Sequence, residues 1–390
     1  MNRVNYVADV SARSKRLAIA ALLVAACTET KVATTTPEAA VDAAPEAAAD
    51  AAPEAAPEAA TTDATPAIPP RPLPTEASIR AAFKGTSAKG LVAMVGDGAR
   101  AAFPIDSTLS PDRPVLVASF TKLWVAVATL RLVARKELAL DAEIRSVLPA
   151  LASRPWADST VRELLGHTSR VPELDNGFFT RTDVDFTRPA ATLARELSTA
   201  TEKRGVWKYR NSEYAILGAI LEARSGATAA EALAKEVFGP SGMTRAGIAV
   251  KSGGSERPAA VDFGPMGRVR PENFFTAGNG YASANDLLSF FEALDGDKLL
   301  DAESKKLLFD GDPRHDRAAL GCWAYPYPTS DGGTTLLVER PGSFGNVKLV
   351  SVFYPETHRA LVFWTGDPID VGKPRTKNSV ASRLARTLAD

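Results

Sequence analysis

Ser119-Phe120-Thr121-Lys122 stands directly before the run Leu123-Trp124-Val125-Ala126-Val127-Ala128-Thr129-Leu130. A helix that is apolar nearly all round must be buried on every side. This stretch therefore predicts a central helix from Ser119 to about Lys136, and it puts a lysine at the mouth of that helix. At about 100° and 1.5 Å per residue, positions i and i+3 share a face. A lysine amine beside a hydroxyl, stripped of much of its water, has a lowered pKa and can take the serine proton. Ser-x-x-Lys is common on exposed helices; its position ahead of a buried one singles it out here.

The 390 residues carry 46 basic and 46 acidic side chains, so no net charge points to nucleic acid or to an acidic partner. With 45% hydrophobic residues the chain can bury a full core. Two cysteines, Cys27 and Cys322, and three histidines, His167, His315 and His358, form no zinc-ligand pattern. No cofactor is expected.

The N-terminus reads as an export signal. Arg13, Lys15 and Arg16 precede an apolar stretch, Leu17 to Ala26, too short to span a bilayer. It ends in Val24-Ala25-Ala26-Cys27, which resembles a bacterial lipobox with Cys27 as the lipidated residue. Residues 1–27 are thus expected to be a lipoprotein-type signal, placing the protein in the periplasm or cell envelope, anchored to a membrane through Cys27. From 28 to 76 the sequence is mostly Ala, Pro, Glu and Thr without an aromatic residue. Such a stretch cannot offset its ordering entropy and reads as a disordered tether.

Residues 77–390 form the folded part. Helices are expected at Ala77–Lys84, at Ala142–Val147 capped by Asp141, and after the capping box Thr160-Val161-Arg162-Glu163. More follow at Glu213–Arg224, Ala229–Phe238, Leu287–Leu294 behind Ser283, and Asn378–Leu388. Strands are expected at Leu91–Val95, Leu320–Tyr325, Thr334–Glu339, Val347–Tyr354 and Arg359–Thr365. Strands at both ends with helices between predict an α+β fold: one antiparallel sheet built from both chain ends, flanked by helices, with an inserted helical lobe.

Two further segments carry chemistry. Trp207-Lys208-Tyr209-Arg210-Asn211-Ser212-Glu213-Tyr214 contains Tyr-x-Asn, and Glu339-Arg340-Pro341-Gly342-Ser343-Phe344-Gly345 lies between two predicted strands. The order S-x-x-K, Y-x-N, basic-x-Gly resembles the serine β-lactamase and penicillin-binding protein superfamily. It is most similar to the branch of class C β-lactamases, D-alanyl-D-alanine carboxypeptidases, D-aminopeptidases and β-lactamase-like esterases. Leu164-Leu165-Gly166-His167-Thr168-Ser169-Arg170-Val171-Pro172 resembles that branch's LLxHTSGLP loop, and Phe238-Gly239-Pro240-Ser241-Gly242-Met243-Thr244 its F-x-P-L-G-M-T turn. Gly278 to Leu287 resembles its glycine-rich S-x-x-D-L helix start.

The resemblance implies an acyl-enzyme on Ser119, with Lys122 and Tyr209 as the base system. It implies Asn211 on a substrate amide, and an oxyanion hole from the backbone N–H groups of Ser119 and Ser343 beside Gly342. Arg340 stands where the family has lysine or histidine; it cannot act as a base but can grip a carboxylate bidentately. Pro341 is tolerated only where its missing N–H faces no ladder partner. Arg170 stands where a glycine could serve an unusual backbone angle. His167 reads as a hydrogen-bonded structural residue, Cys322 as a small buried hydrophobe in a strand, and Phe353, Tyr354, Phe363 and Trp364 as sheet core. The expected function is an envelope serine hydrolase acting on a small-molecule or peptide substrate, a β-lactam, D-amino-acid peptide or carboxylic ester. The altered Arg340-Pro341-Gly342 motif also supports a second reading, a catalytically weak lipoprotein that binds peptidoglycan-like peptides or serves as a scaffold.

Overall fold

The alternation in Gly90–Gly96 decides the layering. Leu91, Ala93 and Val95 face one hydrophobic cluster, while Val92 and Met94 face another. A strand with both faces apolar has to be covered on both sides. The computed structural model describes residues 72–249 and 268–389. The signal segment, Cys27 and nearly all of the tether lie outside the described residues.

The strands are β1 Gly90–Gly96, β2 Ala99–Ile105, β3 Val115–Ala118, β4 Gly247–Ile248, β5 Gly280–Ala282, β6 Trp323–Pro328, β7 Thr334–Glu339, β8 Gly342–Phe344, β9 Val347–Tyr354 and β10 Arg359–Thr365. The helices are α1 Glu76–Ala82, α2 Thr121–Ala134, α3 Ile144–Val147, α4 Val161–Leu165, α5 Pro189–Glu196, α6 Asn211–Ser225, α7 Ala229–Leu233, α8 Ala284–Asp295, α9 Ala302–Leu308 and α10 Val380–Ala389.

The main sheet runs β2-β1-β10-β9-β7-β6, with β8 also on β9, and all its pairings are antiparallel. β1 and β10 sit side by side, Ala93 opposite Val362, so both ends of the folded part meet in mid-sheet. α1 and α10 cover one face through Ile79, Ala82, Leu384 and Leu388. α2 and α8 lie in the cluster on the other face. The fold is the expected α+β arrangement with a helical lobe between the sheet's two halves. The small sheet β3-β5-β4 is an addition.

Most elements fall where the sequence puts them, and the differences have local causes. Asp141 does not cap α3; Glu143 holds the N-cap position without a side-chain bond, and Ile144 and Arg145 donate to the carbonyls of Ser159 and Ala157. The capping boxes at Thr160 and Ser283 form as written. α6 begins two residues early because the Glu173 carboxylate accepts from the N–H groups of Asn211 and Ser212, at 2.6 and 3.0 Å. The helix from Ala229 ends in one wide turn, Ala234–Phe238, with Gly239 N–H on the Ala234 carbonyl. β6 starts at Trp323, not Leu320, since Gly321 takes a left-handed φ of 82° where a Cβ would meet Ala126 and the Lys122 carbonyl. Cys322 therefore precedes the strand, still buried.

α6 lies against the segment Pro271–Ala277 with no room to spare. A Cβ on Gly218 would stand 2.1 Å from Thr276 Oγ1, whose hydroxyl donates to the Tyr214 carbonyl. Gly218→Ala should overpack this seam and lower stability by about 1–3 kcal/mol, measured as a lower urea midpoint at unchanged m-value.

Candidate active site

β3 ends at Ala118 with φ 49°, left-handed backbone that a residue with a Cβ seldom takes. Thr121 holds the turn: its hydroxyl donates to the Ala118 carbonyl at 2.6 Å and accepts from Gly280 N–H at 2.9 Å. The strained turn leaves Ser119 half-buried at the mouth of α2 and Lys122 wholly buried in its first turn. Strain of this kind persists only where the surroundings over-determine it.

Lys122 Nζ meets three oxygens: Ala277 O at 2.6 Å, Asn211 Oδ1 at 2.9 Å and Ser119 Oγ at 3.3 Å. The first two can only accept, so two N–H bonds are committed to them. The third position faces the serine, as an N–H when the lysine is charged and as a lone pair when it is neutral. Burial pulls the amine down to about 8, with the Arg340 charge helping and Tyr209 opposing. Ala277 is delivered by a second strained residue, Phe275, at φ 47° and ψ −136°.

Tyr209 arrives from the extended segment ahead of α6. Its hydroxyl donates to Ser119 Oγ at 2.8 Å and accepts from Arg340 Nη2 at 2.9 Å. Lys122 Nζ stands 4.8 Å from its ring centre. Burial by itself would raise this phenol, but Arg340 and Lys122 outweigh it and bring it down to about 8. The two groups share charges and titrate as a pair. The hydroxyl, amine and phenol named from sequence thus come together from segments about ninety residues apart.

Arg340 lies at the break between β7 and β8. Glu339 faces Val352 before it and Gly342 faces Leu349 after it, so the register is unchanged across Arg340-Pro341. Ser351 Oγ accepts from Arg340 N–H at 3.2 Å and donates to its carbonyl at 2.8 Å. A side chain replaces the ladder here, and proline is accommodated in the interruption. Arg340 Nε donates to the Ser119 carbonyl at 2.8 Å. A Cβ on Gly342 would stand 2.2 Å from the Val117 carbonyl, which brings β8 against the chain two residues before Ser119. Ser343 is exposed in the extended strand β8, with its Oγ accepting from Lys348 at 2.6 Å. Asn211 turns both ends of its amide to the protein, Oδ1 to Lys122 and Nδ2 to Glu173 at 3.4 Å. Arg170 has no left-handed backbone; that conformation falls on His167, φ 58°.

Behind Tyr209, His167 is the hydrogen-bonded buried residue expected, and motif reading missed the Glu213 cluster it belongs to. His167 Nδ1 and Glu213 Oε2 are 2.5 Å apart, Ser169 donates to Glu213 Oε1 at 2.6 Å, and Arg210 Nη1 approaches Oε1 at 3.3 Å. The His167 ring stacks at a tilt on Tyr209, centres 4.7 Å apart, and its carbonyl accepts from Lys208 N–H. Burial pushes the Glu213 carboxyl up to about 8 and, with Arg340, Lys122 and Arg210, holds His167 well below its ordinary value. The pair is therefore neutral near pH 7, with the acid donating to the imidazole. Glu213 follows Tyr-x-Asn by two residues, a signal the sequence held. Ala277 acts through its carbonyl and gave none. Cys322 is buried as expected, and burial pushes its thiol up to about 12.

The Beta-lactamase family model matches residues 79–373. The chain belongs to the Beta-lactamase family. It is 29% identical over 200 residues to the putative penicillin-binding protein PbpX of Bacillus subtilis (strain 168), covering 50% of this chain and 49% of that protein. It is 31% identical over 222 residues to esterase EstB of Burkholderia gladioli, covering 46% and 56%. The chain thus spans about half the length of the curated relatives it matches. Its fold is that of D-amino acid amidase from Ochrobactrum anthropi SV3, with TM-score 0.65, 19% identity, and 80% and 96% of the two chains covered. The class C β-lactamase from Rhodobacter sphaeroides gives 0.63 at 19%, covering 80% and 98%. Members of the family are β-lactamase-fold serine hydrolases.

A carboxyl whose folded pKa is raised binds its proton in the native state after the unfolded chain has lost it. Its stabilisation is full below the unfolded value of 4.5 and is lost as pH rises through about 8. His167 works in the opposite sense, but only below its unfolded value of 6.5. Between pH 6.5 and 8 the wild type should therefore lose roughly 1–2 kcal/mol relative to Glu213→Gln, read from urea unfolding of both at each pH.

Proposed function

We propose that this chain is a serine hydrolase that forms an acyl-enzyme on Ser119 with an amide or ester. The observation that carries the reading is the convergence on Ser119 Oγ of Tyr209 OH at 2.8 Å and Lys122 Nζ at 3.3 Å. As phenolate, Tyr209 takes the serine proton while Oγ bonds to the substrate carbonyl carbon. The carbonyl oxygen becomes an oxyanion, for which the N–H groups of Ser119 and Ser343 are the proposed donors. Collapse breaks the bond to the leaving group, which receives the proton from Tyr209. Water then loses a proton to Tyr209, attacks the acyl carbon and releases the acid, returning the proton to Ser119. Lys122, held by Asn211 and Ala277, keeps positive charge against the phenolate throughout.

The relatives named above supply the substrate classes to try: esters, D-amino acid amides and penicillins. The signal segment and Cys27 support export to the cell envelope as a lipoprotein; absence of a diacylglyceryl mass on membrane-fraction protein would remove the anchor from this reading.

With a p-nitrophenyl ester and a fluorescent penicillin as probes, turnover or labelling should depend on Ser119 and vanish in Ser119→Ala. A complete lack of both from pH 7 to 9 would favour the weakly catalytic binding protein. Tyr209 must be ionised and Lys122 charged, and both groups are brought down to about 8, so kcat/KM should rise with pH to a maximum near 8 and fall above it. Tyr209→Phe should lower kcat by about 10²–10⁴-fold.

A further inference from the structure

Arg340 is only 2% exposed, and its guanidinium lies between the rings of Tyr209 and Trp323, 5.4 Å from each centre. Nε is on the Ser119 carbonyl and Nη2 on the Tyr209 hydroxyl. That edge of the fork is the one a carboxylate would grip side-on. A buried guanidinium needs a compensating negative group. Among the described residues none of the ion pairs includes Arg340, and its polar contacts are a neutral carbonyl and the phenol. Its neighbour Lys122 adds a second positive charge, and Glu173 is spent on the N-terminus of α6. Tyr209 is the one contacting group that can supply the missing negative charge. Lys348, the other cation on this strand pair, is folded onto Ser343 Oγ and the Gly345 carbonyl.

We propose that Arg340 is the internal counter-charge of Tyr209 and not a substrate anchor, so that the site takes acyl donors without a carboxylate in the acyl group: neutral esters or amides. This rests on Ser119 being the nucleophile. A substrate carboxylate reaching Arg340 would have to displace the Tyr209 oxygen or share the guanidinium with it. In either case it weakens the field that favours ionisation of the phenol, so binding works against the chemistry. Arg340 acts through Tyr209 and is a positioning residue.

The test is a pair of esters equal in chain length, p-nitrophenyl valerate and mono-p-nitrophenyl glutarate, turned over by wild type, Ser119→Ala and Arg340→Lys. Wild type should prefer the valerate by about 10-fold or more in kcat/KM. Lysine at 340 is a compact, mobile charge and should narrow the preference to within about threefold. Arg340→Gln should move the rising limb of the pH profile upward by about one unit, which a purely structural loss would not do. Equal or faster turnover of the glutarate ester by wild type overturns this inference alone and needs no variant to fold. Absence of Ser119-dependent turnover with either ester overturns the hydrolase reading, and this inference with it.

Discussion

A fully buried lysine ammonium is among the more expensive things a protein can place in its interior, and Lys122 dictates much of what surrounds it. It is tolerable only because two fixed acceptors, Asn211 Oδ1 and the Ala277 carbonyl, meet it within 3 Å. Each acceptor sits on a segment held by something else. Asn211 is fixed at the start of α6 by Glu173, and Ala277 follows the kinked Phe275 and the Thr276 hydroxyl that is locked to Tyr214. The strain at Ala118 and Phe275 therefore brackets the lysine on both sides. Backbone in sparsely populated regions costs about 1–3 kcal/mol each, and here it is spent on aiming groups.

Two pairs of proton-holding groups meet around the Tyr209 ring, all of them buried. Lys122 and Arg340 favour the ionised phenol. His167 and Glu213 are held neutral by burial, so they add packing and a donor without adding charge. Had Glu213 been ionised, its charge would have opposed the cations' pull on the phenol. The neutral pair also fixes the backbone on either side of the tyrosine, through Lys208 N–H on the His167 carbonyl and Arg210 N–H near Nδ1.

The parts of this molecule that could be read from sequence are those where local chemistry and global placement agree. Val347–Tyr354 and Arg359–Thr365 are β-rich stretches between turn residues, and they are strands with those bounds. The boxes at Thr160 and Ser283 carry their own hydrogen-bond partners three residues on, so they survive any tertiary setting. Asp141 failed because backbone carbonyls from Ala157 and Ser159 already occupied the N–H groups it would have capped. β2 escaped notice because Ala-Arg-Ala-Ala-Phe-Pro-Ile lacks the β-branched density of a strand and carries a proline at the sheet edge. Four-residue β3 was absorbed into the approach to Ser119. In the site, side chains set in ordered motifs were found; the Ala277 carbonyl and the Glu173 cap were not, since both contacts exist only after distant segments have met.

The pairing of β1 with β10 has a consequence for when this protein can become itself. Every residue gathered around Ser119 has been synthesised by residue 340, yet the strand neighbouring β1 is made only at residues 359–365. Until then the first hairpin has an open edge and α2 lacks part of the floor it rests on. The pocket is therefore a late event of synthesis, and a nascent chain waits with its central helix unsheltered. An architecture that closes only at its final strand thus delays its own folding until nearly the whole chain is made.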